Sequence, residues 1–429
     1  MKYHQIDKTL FEENRSRFRK QLKSNSIAIF HSNDIYPTNA DGSLPFRQNN
    51  DVLHLSGVDQ EESVLVVFPD SFNADHKEIL FLKETSDLIA IWEGAKLDKK
   101  QATATSGIRT VYWLSQMEKV LFPLIIEAEN IYLNSNEHLR ASIKLETRTD
   151  RFTKECKERF PLHNYERASK IMHVIRAEKH PIEVDLIRQA CDITRKGMDR
   201  VLDFVKPGVW EYEIEAEIIH EFVRNRSRGF AYEPIIGSGL NACVLHYIDN
   251  NAQCNDGDVI LMDFGAEYAN YASDLTRCVP VNGKFTSRQR DVYNAVLRVH
   301  NECAKMLKPG VLVTEYQVEV GKIMENELLG LNLLDKTDIK NEDPNWPAYK
   351  KYFMHGTSHY MGLDVHDVGT WVKPIPENSV FTIEPGIYIQ EEKLGIRLEN
   401  DYLITNDGAV NLMDNIPIEV EEIENKMNR

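Results

Sequence analysis

Two aspartates at the edges of apolar strands are the first residues here that could do chemistry. Val259, Ile260, Leu261 and Met262 form a continuous apolar run, as in a strand buried on both faces, and Asp263 ends it. Asp274 falls on the strand expected next. A carboxylate in such a place is costly unless something positive neutralises it. No Lys or Arg lies between the two, so a metal ion is the simplest neutraliser. Taken alone, the pair also suits ordinary turn or cap positions.

Downstream segments extend the pattern. His355–Asp367, HGTSHYMGLDVHD, holds three histidines among glycines and apolar residues. Phe381–Ile389, FTIEPGIYI, is an apolar strand interrupted by Glu384, and Gly395–Thr405, GIRLENDYLIT, alternates and carries Glu399. Asp, Asp, His, Glu, Glu is the ligand set of a two-metal hydrolase. Carboxylate oxygens with a single imidazole suit a hard to borderline ion such as Mn²⁺ better than a sulfur-seeking one. His355 and His359 could instead share a helix face at i, i+4, but Gly356 and the Thr-Ser pair between them disfavour a helix there.

These residues need elements to hold them. Ile187, Cys191, Thr194, Met198, Val201, Leu202 and Val205 recur at spacings of three and four, which predicts a long amphipathic helix, and Lys206-Pro207-Gly208 stops it. A second helix follows with Ile214, Ile218 and Phe222 on one side. The unit recurs: Val292, Val296, Val299 and Cys303 mark a helix, Lys308-Pro309-Gly310 ends it, and another begins near Thr314. Nearly equal offsets separate Asp263 from Glu384 and His246 from His366, far too long for a solenoid period. The spacing implies a duplicated α+β half about a pseudo-twofold axis, with the site between the halves.

The region before it reads as a separate, smaller α/β domain, residues 1–175, preceding the 176–429 domain. Strands are expected at Ile27–Phe30, Val52–Leu55, Val64–Phe68, Ile79–Leu82 and Ile131–Leu133, and a helix near Ser115–Phe122 ended by Pro123. The charged, irregular run Glu146–Glu158 and the basic segment near Lys170–Lys179 read as the linker, residues 336–351 as a surface loop, and the tail from Glu419 as a solvated or frayed end.

The chain has 429 residues, 42% of them hydrophobic and 28% charged, as in a soluble globular protein. A net charge of −16 disfavours nucleic acid and anionic membrane as partners. The N-terminus is polar and charged, unlike a secretory signal. No apolar run approaches the roughly 20 residues that span a bilayer. Six scattered cysteines without a CxxC motif read as reduced thiols, so a cytoplasmic location is expected.

Together, Asp263-Phe264-Gly265, Ser273-Asp274, His355 to His359, Ile383-Glu384-Pro385-Gly386 and Arg397-Leu398-Glu399 resemble the pita-bread metallopeptidases, and within them the aminopeptidase P (Xaa-Pro aminopeptidase) family, over nearly the full length. Prolidase is the close relative. The resemblance implies a pita-bread C-terminal domain and removal of an N-terminal residue from peptides with proline second, by a hydroxide bridging two Mn²⁺ ions (Co²⁺ or Zn²⁺ as alternatives). Asp263 would chelate the first ion, Asp274 and Glu399 would bridge both, and His359 and Glu384 would complete the second. Glu384 would also be the general base.

The same resemblance gives His246 and His366 roles in contacting substrate or passing a proton to the leaving group, although each taken singly also reads as a structural histidine. Arg397 would orient Asp263 or another ligand, and His355 and Tyr388 would line the proline pocket. Phe46–Asp51 resembles the N-terminal domain shared by aminopeptidase P and prolidase. Trp92 matches a position facing a neighbouring subunit's site, or else is a core Trp. The family also implies a homodimer or homotetramer. An Xaa-Pro dipeptidase and a non-catalytic peptide-binding member of the fold are the competing functions.

Overall fold

A computed structural model describes residues 3–142 and 144–428. The chain divides into two compact units, Gln5–Arg176 and the residues from Ala177 onward, the latter including Tyr3 and His4.

The first unit is built on a six-stranded mixed sheet. Its strands lie in the order Thr110–Trp113, Glu78–Leu82, Val64–Val67, Ser26–His31, Asn130–Leu133, Asn164–Arg167. Successive side chains of a strand point to opposite faces, and on the four inner strands both faces are buried. Ala28, Phe30, Leu65 and Val67 join one core, while Ile27, Ile29, Val64 and Val66 join the other.

Three expectations fail in this unit. Val52–Leu55 lies in a helix, Asn50–Ser56. Asn49 caps it by accepting hydrogen bonds from the Asp51 and Val52 amides, and Gly57 closes it at φ 67°. A four-residue apolar run cannot tell strand from buried helix, and the caps decide. Pro123 does not end its helix, which runs Met117–Glu127. The lost backbone bond is outweighed by burial of Leu121, Leu124 and Ile125 against the sheet. The expected irregular linker is a helix, Arg148–Arg159, opened by a Thr147–Asp150 capping box.

The second unit repeats one plan. Helices Pro181–Phe204 and Glu211–Arg224 precede the antiparallel sheet Thr276–Pro280, Val259–Asp263, Ile235–Ser238. Helices Ser287–Met306 and Val313–Gly330 precede the sheet Val380–Ile383, Asn400–Thr405, Gly408–Asn411 and the hairpin Gly386–Ile389 with Leu394–Arg397. The halves meet at an antiparallel bridge between Thr276 and Glu399. The expected surface loop holds a short helix, Lys336–Lys340, capped by Asp335. The tail is not frayed: Val420–Met427 is a helix with Val420 and Ile423 buried, and Glu424 pairs with Arg290. Among the described residues, no helix is long and apolar enough to cross a membrane.

Candidate metal centre and active site

Asp263 is the last residue of its strand, and the other carboxylates lie at strand ends. Asp274 falls between Tyr271–Ala272 and Thr276–Pro280 rather than within a strand as expected, Glu384 between Val380–Ile383 and Gly386–Ile389, and Glu399 between Leu394–Arg397 and Asn400–Thr405. His359 sits in irregular chain tied to the Glu384 strand, because the Thr382 amide donates to the His359 carbonyl and the Glu384 amide to the Thr357 carbonyl (3.0 and 2.8 Å).

These elements bring five side chains together. Ligand atoms of Asp274, His359 and Glu399, all buried, lie within 4.8 Å of one another. His359 Nε2 is 3.4 Å from Asp274 Oδ2 and 3.7 Å from Glu384 Oε1. Its Nδ1 is 3.0 Å from the Tyr360 carbonyl, so Nδ1 carries the proton and Nε2 keeps its lone pair for a cation. Asp263 joins through Tyr232, whose hydroxyl lies 2.6 Å from both Asp263 Oδ1 and Asp274 Oδ1.

That shared hydroxyl tests whether the site fits a metal. A phenol has one proton and donates to one carboxylate; the second can approach as closely only if protonated itself or bridged by a cation. Burial first, then neighbouring carboxylate charge, pushes Asp274 and Glu399 well above the usual carboxylate range. Burial pushes Glu384 up to about 7, opposed mainly by His359 and Arg397. Four carboxylates beside one guanidinium are short of positive charge, and an oxygen-rich set with one imidazole is what a hard divalent ion takes. The residues fit the metal.

The surrounding side chains form a directed hydrogen-bond chain. Arg397, 4% exposed, donates from Nη2 to Asp263 Oδ2 (2.6 Å), from Nε to Thr276 Oγ1 (3.0 Å) and from Nη1 to the Tyr388 hydroxyl (2.9 Å). Burial, then the Arg397 charge, pulls His355 down to about 3, so its imidazole is neutral. Tyr388 therefore donates to His355 Nε2 (2.8 Å), and His355 Nδ1–H donates to the Gly356 carbonyl (2.8 Å). His366 packs edge-on against His359, ring centroids 4.4 Å apart. His246 is exposed, yet close enough for its charge to act on His355. Trp92 belongs to the other unit. It is 83% exposed on the helix Asp87–Glu93, which rules out the core position allowed for it.

Three comparisons bear on this geometry. Residues 185–406 match the model for metallopeptidase family M24, and residues 11–132 the model for the aminopeptidase P N-terminal domain. The chain belongs to metallopeptidase family M24, in its aminopeptidase P branch. It is 33% identical to the Xaa-Pro aminopeptidase of Escherichia coli K12 over 98% of both chains, and 32% identical to that of Haemophilus influenzae over 99% and 98%. A solved structure of zinc-substituted E. coli aminopeptidase P with product superposes with a TM-score of 0.88 at 32% identity, covering 99% of both chains. The chain is thus a hydrolase, a metallopeptidase of the Xaa-Pro aminopeptidase kind.

Sequence reasoning missed several residues of this M24 site. Tyr232, Thr276 and Asp401 carried no signal, since their partners are remote in the chain. Thr276 Oγ1 donates to Glu399 Oε2 (2.7 Å) and accepts from Arg397. Asp401 Oδ2 accepts the Asp274 amide (3.0 Å) and the Cys191 thiol (3.5 Å).

Gly265 allows the two aspartate-bearing segments to converge. A Cβ there would fall 1.7 Å from the Ser273 carbonyl oxygen, next to Asp274. Backbone cannot yield as a side-chain tip does. Gly265→Ala is expected to cost about 1–3 kcal/mol or more and to weaken divalent-metal binding, read by urea denaturation and metal titration.

The raised carboxylates also fix a pH dependence. In the metal-free fold Glu384 binds its proton up to about 7, against 4.5 ordinarily. The fold then holds more protons than the unfolded chain, so metal-free stability falls as pH rises through that window. Melting in EDTA is expected at a lower temperature at pH 8 than at pH 5, with an added divalent metal ion restoring stability at pH 8, where the carboxylates are free to bind it.

Proposed function

We propose that this chain removes the N-terminal residue from peptides whose second residue is proline, at a centre of two divalent ions. The observation that carries this is the convergence of Asp263, Asp274, His359, Glu384 and Glu399 on one buried point, with one phenol shared between two carboxylates. Two ions held there, Mn²⁺ by the ligand chemistry, with Co²⁺ or Zn²⁺ as alternatives, would supply a hydroxide at neutral pH and polarise the carbonyl before proline.

The chain's own residues do the rest. Glu384 takes the nucleophile's proton, and its position beside His359 suits it to that role. His246 and His366 hold the substrate and return a proton to the departing nitrogen. Arg397 fixes Asp263 in orientation. The hydrogen-bonded Tyr388–His355 pair offers a rigid wall for the proline ring, which has no N–H to bind.

Leu88, Ile91 and Trp92 leave an exposed apolar face on one helix, which suits self-association as a dimer or tetramer. The six cysteines are free and buried, in keeping with a reducing compartment and a cytoplasmic location. The test is hydrolysis of an Xaa-Pro-Pro tripeptide and an Xaa-Pro dipeptide across a panel of divalent ions. Faster cleavage of the tripeptide, greatest with Mn²⁺, is expected. Cleavage of the dipeptide alone would make the chain a prolidase instead.

A further inference from the structure

His246 stands on chain that no sheet holds. After the strand Ile235–Ser238 comes a short 3₁₀ turn, Gly239–Cys243, and the backbone then runs without helix or strand past His246 to Ala252. Two side chains anchor it: Asn250 accepts from the Ile236 amide and donates to the Pro234 carbonyl and to Glu215, and one carboxylate ties both ends together. Glu211, the first residue of the helix Glu211–Arg224, is fully buried. Its Oε1 accepts from the Ser238 amide (2.7 Å) and the Asn241 side-chain amide (3.3 Å). Its Oε2 accepts from the Tyr247 hydroxyl and the Ala252 amide (both 2.8 Å).

All four donors belong to residues 238–252, at both ends of the segment and beside His246. An ionised carboxylate presents only acceptors, about four lone pairs, and here each is used. The helix start adds a favourable field for the negative charge. A buried charge satisfied so completely, with every bond going to one functional segment, does more than fill space.

We infer that Glu211 is the positioning residue for His246, locking the loop that carries it so that the imidazole is presented to the substrate at a fixed place. The inference rests on the reading of His246 as a substrate-contacting residue. Glutamine at 211 is the discriminating change. It keeps the volume but turns one acceptor into a donor, facing two donors and releasing one side of the loop.

The experiment is a double-mutant cycle on the full-length, Mn²⁺-loaded protein with an Xaa-Pro-Pro tripeptide. E211Q alone is expected to lower kcat/KM by about 10- to 100-fold, the usual effect of losing a buried orienting partner. The Mn²⁺ dissociation constant should stay within about twofold, because no proposed ligand is on that loop. In an H246A background, E211Q should cost less than about threefold, since a loop with no imidazole has nothing left to position. Losses that multiply in the double variant would overturn the inference, as would E211Q with wild-type kcat/KM. Should E211Q fail to fold, Tyr247→Phe removes a single donor, and its smaller loss must likewise vanish beside H246A. Wild-type activity in H246A alone would sink the reading of His246 itself, a different result from multiplicative losses.

Discussion

Asp274→Asn is expected to lower kcat/KM on an Xaa-Pro-Pro peptide by about a thousandfold or more, since a metal's charge stabilisation is worth several kcal/mol and about 1.4 kcal/mol is tenfold. Asp274 lies at the centre of the cluster, within reach of His359 and Glu399 and sharing Tyr232 with Asp263. Under the proposed function Asp274 would serve both ions, so its removal would weaken both positions. The same change should raise the melting temperature of the metal-free protein at pH 8. Burial and the Asp263 charge oppose ionisation of Asp274, and an amide carries no such penalty. Activity and metal-free stability should therefore move in opposite directions, which generic damage to the fold would not produce.

Metal titration separates the causes further. Saturating Mn²⁺ at 100 to 1,000 times its dissociation constant should stabilise the wild type by about 3–4 kcal/mol and the variant by much less. Full activity of Asp274→Asn with Mn²⁺ present would refute the assignment of this residue to the metal.

The four carboxylates of the proposed ligand set stood out in the sequence because burying a carboxylate beside an apolar run is costly, and with His359 they point to one compensating charge. The duplicated plan was legible through the near-equal offsets of Asp263 to Glu384 and His246 to His366. Long amphipathic helices such as Pro181–Phe204 declared themselves by their spacing, each turn repeating the signal. Val52–Leu55 had too few residues to carry a period, and caps outside the run settled it. Pro123 shows the opposite limit, a strong local breaker overruled by packing that lies elsewhere in the chain.

The residues that orient the ligands were the illegible part. Tyr232 reaches carboxylates 31 and 42 positions away, and Glu211 reaches donors 27 to 41 positions away. A tyrosine or glutamate in a helix or loop has no local oddity to mark it. Only the fold shows that its polar atom has a single possible set of partners.

Arg397→Met should separate charge from shape in this site. The guanidinium is buried and makes three divergent bonds, to Asp263, Thr276 and Tyr388. Deleting one partner of a buried ion pair leaves the other uncompensated, so the metal-free variant is expected to lose about 3–5 kcal/mol in urea denaturation. Asp263 is the group left exposed to this cost, at 13% side-chain exposure. A bound dication would take over part of the lost neutralisation, so saturating Mn²⁺ should recover more stability in the variant than in the wild type. Activity should still fall about 10- to 100-fold, because a proposed ligand that has lost its orienting partner is poorly placed even when a dication restores the charge balance. Lysine should not rescue it, since an ammonium on a flexible stem cannot reproduce a planar fork bonded in three directions. Adding Asp263→Asn to Arg397→Met should return metal-free stability towards the wild type by removing the stranded charge, while leaving the protein inactive. If Arg397→Met melts like the wild type in EDTA, Asp263 draws its compensation from elsewhere and the guanidinium is not its anchor.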